Sequence, residues 1–145
     1  MILDLDGGYV VWALVALVGY SIFTPLAQLA TQQVPSTVVA LVANTILATS
    51  ALVVVLYTNG GDIGQYLTGT PLMYMLGAGA FLTVGILAYY RALSMGPISV
   101  VTPIYGMFLV GSSLIGVVVL GEPLSARKAA GIGLAVVAVY LTTTG

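Results

Sequence analysis

Five stretches of this chain stay hydrophobic long enough to cross a bilayer, and each ends at a short polar, glycine or proline break. A hydrocarbon core of about 30 Å is crossed by about 20 helical residues at about 1.5 Å of rise each. The pattern therefore predicts membrane helices over residues 9–30, 36–57, 71–93, 98–120 and 126–142. Trp12 falls near the start of the first span, where an indole anchors at the interface. In the turn Gln32-Gln33-Val34-Pro35-Ser36, Ser36 suits the N-cap of the second span, and Ser125 suits that of the fifth. Asn59-Gly60-Gly61-Asp62 opens the longest loop, after which Pro71 fits the first position of the third span. Gly77, Gly79, Gly85, Gly106, Gly111, the Ser112/Gly116 pair, and Ala126, Ala130 and Gly131 read as small faces for close helix approach. There is no internal repeat and no soluble domain, so residues 1–145 read as one all-α membrane domain.

The polar positions inside the spans are not scattered evenly. Thr24, Pro25 and Gln28 in the first, Asn44 and Thr45 in the second, Tyr89, Tyr90 and Arg91 in the third, and Thr102, Pro103 and Tyr105 in the fourth occupy one half of the bilayer. Pro25 and Pro103 each delete a backbone amide, freeing the carbonyls of Ser21 and Ser99 at that depth. Freed backbone acceptors are tolerated in a membrane only against protein or a wet cavity. The pattern predicts a half-cavity with Tyr20, Thr24, Gln28, Asn44, Tyr89, Tyr90, Arg91, Thr102 and Tyr105 as solute-binding residues, and with Pro25 and Pro103 as helix breaks and gates. Taken singly, each has a structural reading: Tyr89 and Tyr90 as an aromatic belt, Arg91 as a snorkelling anchor, Asn44 as interhelical glue. Thr49, Ser50, Ser112 and Ser113 lie elsewhere, and small hydroxyls of this kind bond back to their own helix.

The ordered run Ala92-Leu93-Ser94-Met95-Gly96-Pro97-Ile98-Ser99-Val100-Val101-Thr102-Pro103, then a hydrophobic span, Gly121-Glu122-Pro123-Leu124-Ser125 and Gly131, resembles the second part of an EamA domain. That domain belongs to the drug/metabolite transporter superfamily, and the resemblance extends more weakly through the first two spans. Most members carry two such domains in tandem, whereas this chain has room for one and is similar to the five-span branch. The resemblance implies export or exchange of metabolites or drugs. It also implies that a lone repeat regains the inverted arrangement of its two-domain relatives by pairing with a second copy. Small multidrug resistance relatives keep a glutamate in their first span for proton exchange; here Val10 to Gln28 contains no acid.

Composition narrows the chemistry further. Hydrophobic residues make up 60% of the chain and charged ones 5%, far below the roughly 25% of a soluble domain. With three Lys and Arg in all there is no basic patch for nucleic acid. The absence of cysteine and histidine excludes disulfides, thiolate or histidine-based catalysis and soft-metal sites. The four carboxylates, Asp4, Asp6, Asp62 and Glu122, fall in the tail, in a loop or at a helix end, so no pair is placed for acid–base work inside the membrane. Glu122 reads as a solvated acid balanced by Arg127 and Lys128. No enzyme activity, cofactor or metal is expected.

Five spans put the termini on opposite faces of the membrane. One face carries Arg127 and Lys128 and the other Arg91, a bias of one positive charge. The expectation is a multi-pass transporter of the cell (plasma or inner) membrane. It moves small metabolites or drug-like solutes, such as amino acids and aromatic or amphipathic amines, by alternating access as an antiparallel homodimer of dual topology in the lipid bilayer. The alternative is a non-transporting scaffold or accessory subunit of a larger membrane complex.

Overall fold

The computed structural model describes residues 8–59 and 63–144; the tail acids Asp4 and Asp6 and the loop residues Gly60, Gly61 and Asp62 lie outside the described residues. Helices α1 (Gly8–Thr31), α2 (Ser36–Asn59) and α3 (Gly69–Leu93) follow the first three hydrophobic runs, and each is long enough to span a membrane. The fourth run is divided into α4 (Ile98–Gly106) and α5 (Phe108–Val118), and the fifth is α6 (Ala126–Thr144). Strands are absent among the described residues, so the chain is an all-helical membrane protein with five spans.

The helix ends follow local chemistry. Ser125 caps α6 through its hydroxyl, which accepts from the Lys128 amide at 3.2 Å. Ser36 is the first helical residue of α2 rather than its cap, and the Pro35 carbonyl accepts the first amides, Val38 at 2.9 Å and Val39 at 3.3 Å. Thr68 stands at the N-cap position of α3 without a side-chain bond to the helix, which places Pro71 at the third helical position instead of the first. A proline is tolerated anywhere in that first turn because its missing amide has no acceptor there.

The chain separates into two compact units on either side of the turn that contains Gly96 and Pro97, residues 1–94 and 95–145. In the first unit α1, α2 and α3 pack pairwise, and the contact is carried by Thr24, Ala27, Ala40, Tyr89, Tyr90 and Leu93, all buried. In the second unit α4 packs on α6, with α5 touching both. Most other apolar side chains are exposed, as expected of helices whose outer faces meet hydrocarbon instead of water.

Neither proline ends a helix. Pro25 lies inside α1 and Pro103 inside α4, and the break in the fourth span falls one turn later at Met107. One missing amide costs a helix one hydrogen bond. At Met107 the amide instead turns to the Ile104 carbonyl three residues back, at 3.1 Å, a 3₁₀-type tightening that follows the poor helix former Gly106. After α5 the chain reverses through Gly121 in the left-handed region (φ +70°), and the Glu122 amide returns to the Gly116 carbonyl at 3.0 Å. This reversal lays the Glu122 carboxylate over Gly116, where a Cβ would stand 3.3 Å from the carboxyl carbon. The other span glycines behave differently from the small-face expectation. At Gly77, Gly79, Gly85, Gly106, Gly111 and Gly131 an added Cβ meets nothing within 4 Å, so close approach within the chain rests on Ala27 and Ala40.

These glycines separate two costs. Gly121→Ala places a Cβ in the left-handed region and should lower stability by about 1 kcal/mol. Gly77→Ala, in an open helix interior, should raise it by up to about 1 kcal/mol. Thermal denaturation of the detergent-solubilised protein reads both, and midpoints that move in the same direction would contradict this assignment.

Candidate solute site in the first unit

The site is built by three helices from residues that recur every three or four positions. On α1, Ala16, Gly19, Tyr20 and Phe23 share one face; α2 contributes Ala43, Asn44 and Leu47, and α3 contributes Ile86 and Tyr90. Between them lies a cavity of about 330 Å³. Its wall is mostly apolar, with polarity confined to the phenols of Tyr20 and Tyr90 and the amide of Asn44. Phe23 is the central ring. It meets Tyr20 at 6.0 Å and 87°, and Tyr90 at 5.9 Å and 89°, so the three rings form two edge-to-face pairs.

A second, almost wholly apolar cavity of about 460 Å³ continues along the same unit, among Leu26, Ala30, Val38, Val42 and Ile46. Phe23, Ala43 and Tyr90 line both, which makes the Phe23–Tyr90 pair the partition between them. Tyr90 is 2% exposed and is one of the two largest fully buried side chains.

Beside this partition runs a hydrogen bond between side chains of different helices. The Tyr89 hydroxyl donates to Thr24 Oγ1 at 3.2 Å, and Thr24 Oγ1 donates to the Tyr20 carbonyl at 2.9 Å. This chain runs from α3 through a side chain of α1 to its backbone, one residue before Pro25. The remaining small polar groups are spent locally. Asn44 Nδ2 donates to the Ala40 carbonyl at 2.7 Å, Thr45 Oγ1 to Leu41 at 2.7 Å, Thr49 Oγ1 to Thr45 at 2.8 Å and Thr83 Oγ1 to Gly79 at 2.8 Å. Ser112 and Ser113 bond back to the Leu109 carbonyl as their side-chain length predicts.

The expected solute-binding residues thus divide. Tyr20, Asn44 and Tyr90 line the cavity, while Thr24 and Tyr89 hold the helices beside it. Gln28 is half-buried on α1, its carbonyl accepting from Thr31 Oγ1 at 2.8 Å, and it does not line the cavity. Arg91 is exposed in the last turn of α3 and does not line it either. Thr102 and Tyr105 belong to the second unit. There Thr102 Oγ1 is buried without a hydrogen-bond partner, and the Tyr105 ring leans on Phe108 at 5.1 Å. Phe23 was not anticipated from the sequence. Its signal was the three-residue spacing from Tyr20, which an apolar ring in an apolar span hides.

The second unit holds a cleft of about 380 Å³ between α5 and α6, lined by Ser113, Glu122 and Lys128 among apolar residues. The Lys128 ammonium donates to the Pro123 carbonyl at 3.3 Å. No three His, Cys, Asp or Glu residues cluster among the described residues.

Compared with known proteins, the chain matches the sequence model of the EamA-like transporter family over residues 8–144. Neither the curated proteins nor the solved structures include a significant match.

The Thr24–Tyr89 bond gives a measurable prediction. Tyr89→Phe and Thr24→Val each delete one end of it, and a double-mutant cycle should return a coupling of about 0.6 kcal/mol, with about 1.7 as the upper range for membrane proteins. Strictly additive losses in detergent unfolding would show that the bond contributes nothing.

Proposed function

Because the chain belongs to the EamA-like transporter family, we propose that it carries small amphipathic metabolites or drug-like solutes, of amino-acid or aromatic-amine size, across the cell membrane. The α1–α3 cavity is the solute site in this proposal. The observation that carries the reading is the pair of cavities divided by Phe23 and Tyr90, because a transport path needs a compartment and a barrier that moves. No covalent step is involved, and the work of the site is to replace the solute's hydration and then release it.

Alternating access needs two halves of opposite orientation that rock about a shared site. A chain with one five-span repeat supplies a single half, so the working unit proposed here is an antiparallel homodimer. A difference of one positive charge between the faces, Arg127 and Lys128 against Arg91, leaves insertion in either orientation accessible.

Sealed vesicles containing the protein should accumulate or release members of a metabolite panel faster than empty vesicles, and Tyr90→Ala should reduce that flux severalfold. A panel with no flux above empty vesicles would overturn the transport reading. Orientation is tested separately. Gly61→Cys introduces the sole thiol into the loop between α2 and α3, and a membrane-impermeant maleimide applied to intact cells should label about half the molecules. Labelling of all or none would refute dual insertion while leaving transport to be judged by flux.

A further inference from the structure

We infer that the α1–α3 cavity selects uncharged solutes, with an aromatic or branched apolar body and a single head group that both donates and accepts hydrogen bonds, over ionised analogues of the same shape. The inference rests on the proposal that this cavity is the solute site, and it concerns which charge state enters. Three observations carry it.

First, none of the nine residues lining the cavity is charged. Arg91, one residue beyond Tyr90, is exposed and does not line it. An ion moved into this cavity would give up water and meet only dipoles.

Second, the aromatic rings do not make up the difference for a cation. A cation is held by ring faces turned toward one centre. Here Tyr20 and Phe23, and Phe23 and Tyr90, meet edge to face at 87° and 89°, so in each pair one ring face is covered by its neighbour's edge. What the rings offer a guest is apolar area and dispersion, which favour a planar or branched hydrocarbon body.

Third, the polar groups left over are neutral and two-sided. Asn44 commits one N–H to the Ala40 carbonyl, which leaves the amide a second N–H and a carbonyl oxygen. The phenols of Tyr20 and Tyr90 likewise can both donate and accept. Thr24 and Tyr89 are already tied to one another and to the Tyr20 carbonyl, and so add no fixed charge or free donor. An amide or alcohol head matches such groups in both directions, whereas a carboxylate only accepts and an ammonium only donates. The volume sets the size: about 330 Å³ is roughly twice the about 150 Å³ that holds a benzene ring. A two-ring body with a short head fits.

The test uses three probes of one shape, 2-naphthamide, 2-naphthoate and 2-naphthylmethylammonium, with the purified protein in nanodiscs at neutral pH. Binding is read by probe fluorescence against empty nanodiscs and against Ala43→Phe, which fills the cavity from the wall it shares with its neighbour. Naphthamide should bind at least about tenfold more tightly than either ion. An ion that binds as well as the amide overturns the inference. Asn44→Asp should raise the relative affinity for naphthylmethylammonium about tenfold or more by supplying the missing opposite charge. An unchanged ranking in that variant places the head group away from Asn44 and also overturns the inference. The wild-type ranking stands by itself should a variant fail to fold. Flux of all three probes without preference would overturn the charge selection and leave transport intact. The preference without any flux would overturn transport and leave the selection intact.

Discussion

Hydrocarbon offers a backbone no hydrogen-bond partner, and the architecture follows from that single constraint. It explains why every described element that crosses is a helix. It also explains why the intramembrane hydroxyls of Ser21, Thr24, Thr45, Thr49, Thr83 and Ser113 return to the carbonyl four residues back. With donors spent in this way, few groups remain to hold one helix to another by hydrogen bonding. In the first unit the task falls to the Tyr89–Thr24 bond and to the fit of Ala27, Ala40 and Leu93. Cohesion concentrated in a few residues leaves the rest of α1–α3 free to enclose space. Both cavities lie alongside that cluster, and Ala27 belongs to the cluster and to the second cavity's wall.

The parts of the fold legible in the sequence are those governed by summed hydrophobicity and by local chemistry. The five spans were readable to within two residues at nearly every end, because leaving hydrocarbon is decided by a whole run of side chains. The Ser125 cap was readable because it needs only its own three following residues. The break in the fourth span was misplaced. Pro103 is the obvious breaker in the sequence, yet the helix carries it and yields at Met107, where Gly106 and a tightened turn act together. A proline announces one lost bond, but the position where a helix gives way depends on the neighbours that must absorb it.

The site was partly legible for a related reason. Polar residues in an apolar run are conspicuous, and three of those singled out, Tyr20, Asn44 and Tyr90, do line one cavity. Which way a side chain faces depends on which helices pack together, and Gln28 and Arg91 do not line the cavity. Phe23 escaped notice because aromatic identity carries no contrast among apolar neighbours, although its ring contacts are what divide the space. Of the span glycines singled out for close approach, Gly116 is the one at which an added Cβ would meet a side chain within the described residues.

Gly116 shows how a sequence motif can be geometric rather than chemical. The Gly121-Glu122-Pro123 segment draws attention to its acid, but each part has a conformational task. Gly121 supplies the positive φ, the Glu122 amide returns to the Gly116 carbonyl, and the missing Cβ of Gly116 admits the carboxylate against its own backbone. The Pro123 carbonyl then receives Lys128, and Ser125 opens α6. The α1–α3 cavity of the first unit is lined only by neutral groups. Removing an ion from water is costly, and a lining with no charge to offset that cost gives the α1–α3 cavity its chemical character.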